Sequence, residues 1–263
     1  MDKERIMTTE YGTLDIRNVA KHYDVDGRSL TALSNVNLHV SPGEFISIVG
    51  PSGCGKSTLL RLILGLDTDY AGDILLDGER IAGTSLDRGI VFQDHRLLPW
   101  LTLEGNVSLA LENAHLSKTE RQQTVADHIR LVGLQGFETV YPHQLSGGMA
   151  QRGAIARGLV TRPRILLLDE PLGALDALTR LRLQEELVRI WKAEGVTMIL
   201  VTHDVDEAIY LSDRVVVMNA NPGRIVEEIP VALPRPRDRA SQGFAAIKRR
   251  VLALMGEYDL EVA

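Results

Sequence analysis

The chain has 263 residues, 44% hydrophobic and 24% charged, which suits a globular protein with a sizeable core. Its formal net charge of -6 argues against nucleic acid as the main partner, because a face for phosphodiesters would be basic. The single cysteine, Cys54, excludes an internal disulfide framework; the seven histidines show no metal-ligand spacing, and no apolar run is long enough to span a bilayer.

Met1-Asp2-Lys3-Glu4-Arg5 lacks the apolar centre of a signal peptide, so a cytoplasmic chain is expected. Residues 14–23 and 35–40 alternate apolar with polar, as half-buried strands do. Ser41-Pro42-Gly43 predicts a turn into Glu44-Phe45-Ile46-Ser47-Ile48-Val49, which reads as a buried strand. Next comes Gly50-Pro51-Ser52-Gly53-Cys54-Gly55-Lys56-Ser57-Thr58, which fits the phosphate-binding loop G-x-x-x-x-G-K-[ST]. The helix after it is expected to stop at Gly65. Glycines let backbone N–H groups turn inward around phosphate oxygens, and the helix N-terminus adds partial positive charge. In this pattern Lys56 reaches the β- and γ-phosphates and the Ser57 hydroxyl ligates Mg²⁺, so a nucleoside triphosphate is the expected ligand.

Residues 73–76 read as a strand, and Asp77-Gly78 as its hairpin turn. A short strand over 89–92 ends at Gln93. Helical periodicity then covers 106–116 and 119–132, the second opened by the capping box Ser117-Lys118-Thr119-Glu120 and closed by Gly133. A further helix begins at Gly148, with Gly153 and Gly158 inside it, each a cost to helix stability. Strands over 165–168, 196–202 and 214–218 alternate with helices over 177–194 and 205–211, the pattern of a parallel sheet with crossover helices. Asn221-Pro222-Gly223 predicts a turn, Pro234-Arg235-Pro236 an interruption, and 242–255 a terminal helix.

Together these predict an α/β P-loop NTPase core with a mixed or parallel sheet, an N-terminal antiparallel β subdomain and an inserted α-helical subdomain. The ATPase domain is expected over 14–240, its helical insertion over about 94–150, and a helical extension over 241–263.

Two further stretches carry chemistry. Four apolar residues end in Asp169 and Glu170, and a buried strand delivers such carboxylates to the sheet edge where ligands bind. Asp169 is expected to hold Mg²⁺ through water, and Glu170 to take a proton from attacking water. Leu145-Ser146-Gly147-Gly148-Met149 opens a helix as a second anion-binding N-terminus. One ATP cannot readily use two such cradles from one chain, so the second is expected to serve the nucleotide of another subunit.

The phosphate loop, Gln93, residues 145–148, Leu168-Asp169-Glu170-Pro171, Ala174-Leu175-Asp176 and His203 resemble, in order and approximate spacing, an ATP-binding cassette (ABC) transporter ATPase subunit. The resemblance runs from about Leu14 to Arg239 and implies a head-to-tail dimer with two ATP molecules at its interface. It implies that Tyr23 stacks on adenine, the alternative being a strand aromatic in the core. Gln93 resembles the glutamine that touches Mg²⁺ and water and senses the membrane partner, Asp176 the aspartate that communicates across the dimer, and His203 the histidine that contacts γ-phosphate. Met149 and Ala150 depart from the residues commoner in the family.

Leu97-Leu98-Pro99-Trp100 is more apolar than a solvated loop needs, which suits either a groove for a membrane permease along Gln93 through Trp100 or burial within the helical subdomain. With Asn221-Pro222-Gly223-Arg224-Ile225 it resembles the nitrate/sulfonate/taurine importer branch, which works with a separate permease and a solute-binding protein. That resemblance implies a peripheral place on the cytoplasmic face of the cell (inner) membrane. A soluble ABC ATPase outside transport, or a P-loop small-molecule kinase, is the alternative. Lys248-Arg249-Arg250 reads as a solvated helix face or a lipid contact.

Overall fold

A computed structural model describes residues 12–25 and 27–256. Contacts gather them into two units: one runs up to Thr84 and resumes at Trp191, and the other is Ser85–Ile190.

The first unit opens with β1 (Leu14–Val25) and β2 (Arg28–Val40), paired antiparallel. Leu14, Ile16, Val36, Leu38 and Val40 are buried, as their alternation predicts, and Val19 joins them past a register shift that follows Ile16. β2 starts at Arg28 instead of residue 35. Its first three residues are exposed, so the ladder to β1, and not an apolar face, makes them strand. β3 (Phe45–Val49) is buried at every position and leads through the glycine loop into α1 (Lys56–Ile63), which buries Leu59, Leu60, Leu62 and Ile63. β4 (Ala71–Leu76) and β5 (Glu79–Arg80) flank Asp77 and Gly78, whose φ values of 51° and 83° match a two-residue hairpin turn. They complete an antiparallel sheet in the order β2-β1-β4-β5.

The second unit starts with β6 (Arg88–Val91). Then come α2 (Leu103–Leu109), α3 (Lys118–Leu131), a single 3₁₀ turn at Pro142–Gln144, and α4 (Gly147–Leu159). α2 differs from the helix expected over 106–116. Thr102 caps it early by accepting from the Gly105 N–H, and beyond Leu109 the chain passes into three-residue turns, with the Leu111 N–H on the Ser108 carbonyl and the Ala114 N–H on Leu111. The capping box of α3 forms in full between Ser117 and Glu120. The glycines inside α4 are explained by close packing. A Cβ on Gly153 would come within 2.8 Å of Leu103 Cδ1, and one on Gly158 within 3.2 Å of Leu166 Cδ1 and Val91 Cγ2. β7 (Ile165–Asp169) pairs parallel with β6, and α5 (Ala177–Glu194) comes after it, its last turn belonging to the first unit.

Back in the first unit come β8 (Thr197–Val201), α6 (Val205–Leu211), β9 (Arg214–Asn219), β10 (Arg224–Pro230) and α7 (Gln242–Leu254). β3 lies between β8 and β9, parallel to both, and β10 runs antiparallel to β9, which makes the sheet mixed. β10 has no counterpart among the strands expected from sequence. A register shift between Ile225 and Glu227 breaks its period of two, so no clean alternation survives.

The segment between β10 and α7 is anchored by Arg237, a buried guanidinium that donates to the carbonyls of Ile209, Tyr210, Ser212 and Val231. Burial, with Arg235 nearby, pushes its pKa down to about 10, which leaves it protonated at neutral pH. In the basic cluster, Lys248 pairs with Asp206 at 2.6 Å and Arg250 with Glu227, so two of its cations are engaged within the chain. Among the described residues, no helix is long and apolar enough to cross a membrane.

Candidate functional site

In the first unit the site is built at the end of β3. Gly55 caps α1 in a left-handed conformation, φ 92°, and a Cβ there would lie 2.5 Å from Leu33 Cδ2, so only glycine closes the loop this way. No side chain caps α1, which leaves its first N–H groups and the positive helix end for an outside anion. The Lys56 side chain folds back into the loop. Its ammonium donates to the carbonyls of Gly50 (2.7 Å) and Pro51 (3.1 Å) and lies 3.7 Å from the buried Cys54 thiol. Ser57 is exposed beside it. A cation, uncapped amides and a hydroxyl at one helix start fit a phosphate chain, and the hydroxyl is a hard oxygen donor suited to Mg²⁺.

Tyr23, on β1, is half-buried, neither fully core nor fully free. The Lys21 ammonium stands 4.9 Å from its ring centroid, and Lys21 also pairs with Asp67 at 2.9 Å. The Tyr23 hydroxyl donates to the same Asp67 carboxylate at 3.4 Å, so two neighbours hold the ring. Desolvation alone would raise the Asp67 carboxyl, but the hydrogen bond and charge of Lys21, with the Asp69 N–H, keep it below its ordinary range. His203 lies just past β8 and is exposed, with Asp204 capping α6 directly after it.

The second unit carries the carboxylates. β7 buries Ile165 through Leu168 and delivers Asp169 and Glu170 half-buried at its end. Glu170 has φ 46°, a left-handed backbone that costs a non-glycine residue about 1–2 kcal/mol. Such strain concentrates where the fold must aim a side chain. Gln93, exposed after β6, lies against Gly173, where an added Cβ would sit 2.9 Å from its Nε2.

Ser146 caps α4 by accepting from the Met149 N–H at 3.3 Å. Asp176 precedes α5 and accepts from the Leu178 and Thr179 N–H groups at 3.1 and 3.0 Å. The Thr179 side chain and backbone hold its carboxyl below the usual range. The two helix starts touch, because a Cβ on Gly148 would come within 2.6 Å of Thr179 Cγ2. The structure thus brings the Ser-Gly-Gly turn together with Asp176. It also sets Gln93, Gly147, Pro171 and Leu175 around one open cleft of about 310 Å³.

Three residues that sequence reasoning passed over hold the loop after Gln93. Gln151, buried on α4, donates to the Phe92 carbonyl at 2.9 Å. Arg157 donates to the carbonyls of Arg96 (2.7 Å) and His95 (2.9 Å). Asn106, fully buried on α2, accepts from the Leu98 N–H and donates to the carbonyls of Leu98, Leu101 and Thr102. An asparagine on the same face as Leu103 and Val107 was the available signal, since a buried amide must find partners. Leu97 is core and Trp100 is 69% exposed, so burial within the helical subdomain holds for Leu97 and not for Trp100.

Comparison with known proteins gives a consistent result. Residues 33–173 match the family described as ABC transporter. An uncharacterised ABC transporter ATP-binding protein of Methanocaldococcus jannaschii is 50% identical over 248 residues, 94% of this chain and 93% of that protein. The aliphatic sulfonates import ATP-binding protein SsuB of Bacillus cereus (strain ZK / E33L) is 48% identical over 242 residues, 91% of this chain and 94% of that one. Among solved structures, a dimeric ATP-binding cassette in a post-hydrolysis state with ADP and Pi superposes with a TM-score of 0.71 at 34% identity, covering 83% of this chain and 98% of that one.

Proposed function

The chain belongs to the ABC transporter family, and from that premise we propose that the solute it helps to import is an aliphatic sulfonate or a similarly small oxyanion. It is a transport ATPase that binds ATP with Mg²⁺, hydrolyses ATP to ADP and phosphate, dimerises, and pairs with a separate membrane permease. We assign it to the cytoplasmic face of the membrane, where ATP is available, with a solute-binding protein acting through the permease.

The assigned roles come from charge and position. Lys56 and the start of α1 are assigned to the β- and γ-phosphates; Ser57 in the first unit and Gln93 and Asp169 in the second are each assigned to Mg²⁺, which would supply positive charge against the phosphates. Glu170 takes the proton of the attacking water, and His203 touches the γ-phosphate side. Tyr23 offers its ring to the adenine. Ser146, Gly147 and Gly148 serve the nucleotide held by the phosphate loop of a second copy, and Asp176, fixed beside them, carries the signal across. Gln93 through Trp100 receives the permease.

The observation that carries the nucleotide assignment is the Lys56 ammonium held among loop carbonyls at the start of a helix without a side-chain cap. The solute assignment rests on the 48% identity with SsuB. It is tested in vesicles carrying the chain with its permease and binding protein, by following ATP-dependent uptake of labelled ethanesulfonate, taurine and nitrate. Ethanesulfonate uptake is expected; uptake confined to nitrate would overturn the sulfonate assignment.

A further inference from the structure

We propose that Thr202 and Glu207 are positioning residues that fix the backbone on both sides of His203 and so set where its imidazole acts during hydrolysis. The inference rests on the role proposed for His203.

Thr202 is 1% exposed, and its single hydroxyl is engaged in both directions. It donates to Glu207 Oε2 at 2.5 Å and accepts from the Asp204 N–H at 3.0 Å. The Thr202 N–H donates to the Ile48 carbonyl at 3.2 Å, tying this residue to β3 just before the phosphate loop. Asp204 in turn accepts from the Glu207 N–H at 3.0 Å through Oδ1 and caps α6. Residues 202 and 204 are therefore both fixed, by bonds that share Glu207, and His203 stands exposed between them. With its two neighbours held, the φ and ψ of His203 have little room to vary, and the imidazole is presented from a defined point.

Glu207 is 3% exposed, an expensive place for a carboxylate. α6 already buries Val205, Ala208, Ile209 and Leu211, so an apolar side chain at 207 would serve packing at lower cost. The carboxylate instead holds the residue next to an exposed histidine. Placement explains that choice better than stability does, because small displacements of a reacting group are costly to rate.

The test is a cycle in the full-length chain, measured by ATP-dependent phosphate release. Thr202→Val keeps the shape and removes both hydroxyl bonds; Thr202→Ser restores them. Thr202→Val is expected to lower kcat by about 10- to 100-fold with KM for ATP-Mg²⁺ changed by less than about twofold, and Thr202→Ser to recover most of the rate. In a His203→Ala background, Thr202→Val should cause no further fall, since the residue it positions is gone. Wild-type kcat in Thr202→Val would overturn the proposal. So would an equal fractional loss with and without His203, which would mean that Thr202 acts on stability alone. Unchanged turnover in His203→Ala by itself would instead overturn the role of His203, a distinct result. Should Thr202→Val fail to fold, Glu207→Met, which removes the acceptor of the Thr202 hydroxyl, is read in the same cycle by the same criteria.

Discussion

β3 and β7 are both short parallel strands, buried along all or nearly all of their length, yet the segments they lead into differ in charge and backbone. After β3 the chain runs into a glycine-rich loop whose Gly50 and Pro51 carbonyls hold one ammonium, Lys56, and a helix whose first amides no side chain caps. After β7 it runs into two carboxylates, the second in a left-handed conformation. The buried strand does the same work in both places, holding the next residues to a fixed edge. The residue types then divide the labour: the positive end suits the triphosphate, and the negative end suits metal and water. The two ends should therefore fail at different steps.

Glu170→Gln gives the largest expected effect. It removes base catalysis, which is typically worth about 10²–10⁴-fold, or about 3–5 kcal/mol of barrier, and should leave ATP affinity near normal. Nucleotide titration by fluorescence, with steady-state phosphate release, separates the two quantities. A variant that keeps more than about a tenth of wild-type turnover would move the proton-accepting role to another group.

Lys56→Ala breaks the comparison from the other end. A charge-assisted hydrogen bond contributes about 1.5–3 kcal/mol, so affinity for ATP-Mg²⁺ should fall by about 10- to 100-fold, with hydrolysis slowed as well. Unchanged affinity would mean that the ammonium serves only the Gly50 and Pro51 carbonyls on which it rests.

Ser146→Ala probes the second helix start. Unlike α1, α4 is capped by its own serine, whose loss costs about 1 kcal/mol of stability. Glu170→Gln, unable to turn over, should run as a dimer on a sizing column with ATP-Mg²⁺, and adding Ser146→Ala should shift it towards monomer. A monomer at saturating ATP-Mg²⁺ without the serine change would count against a site shared between copies.

Much of this was legible because the signals are local. The phosphate loop, the Asp169-Glu170 pair and the Ser117–Glu120 capping box each lie within a few residues, and they stand at a helix start, a strand end and a helix cap, as their local patterns predict. What could not be read lies in long-range bonds or in backbone geometry. Gln151 reaches the Phe92 carbonyl across 59 residues, and Arg157 reaches His95 across 62, with nothing in either's neighbours to announce it. The φ of Glu170 is set by the turn that closes on it, and the shifted register of β10 removes the alternation that marks a strand. Helix propensity alone makes Gly153 look costly, because it leaves out the packing partner, Leu103.

The smallest stability effect is expected at Trp100, and it bears on whether the division between the two strand ends is complete. Leu97 anchors the loop in the core, Asn106 fixes the backbone that comes next, and Trp100 is left 69% exposed. An exposed side chain of this kind contributes little to folding, so Trp100→Ala should change stability by no more than about 0.5 kcal/mol. Neither strand end uses it, so ATP affinity and basal phosphate release should also stay at wild-type values. A large aromatic held out on an anchored loop is, however, the type of residue that dominates protein interfaces. Recovery of the chain with its permease in a pull-down should therefore drop while the other three measurements hold. Unchanged recovery would move the permease contact away from this loop, and a matching loss of thermal stability would make Trp100 a packing residue after all.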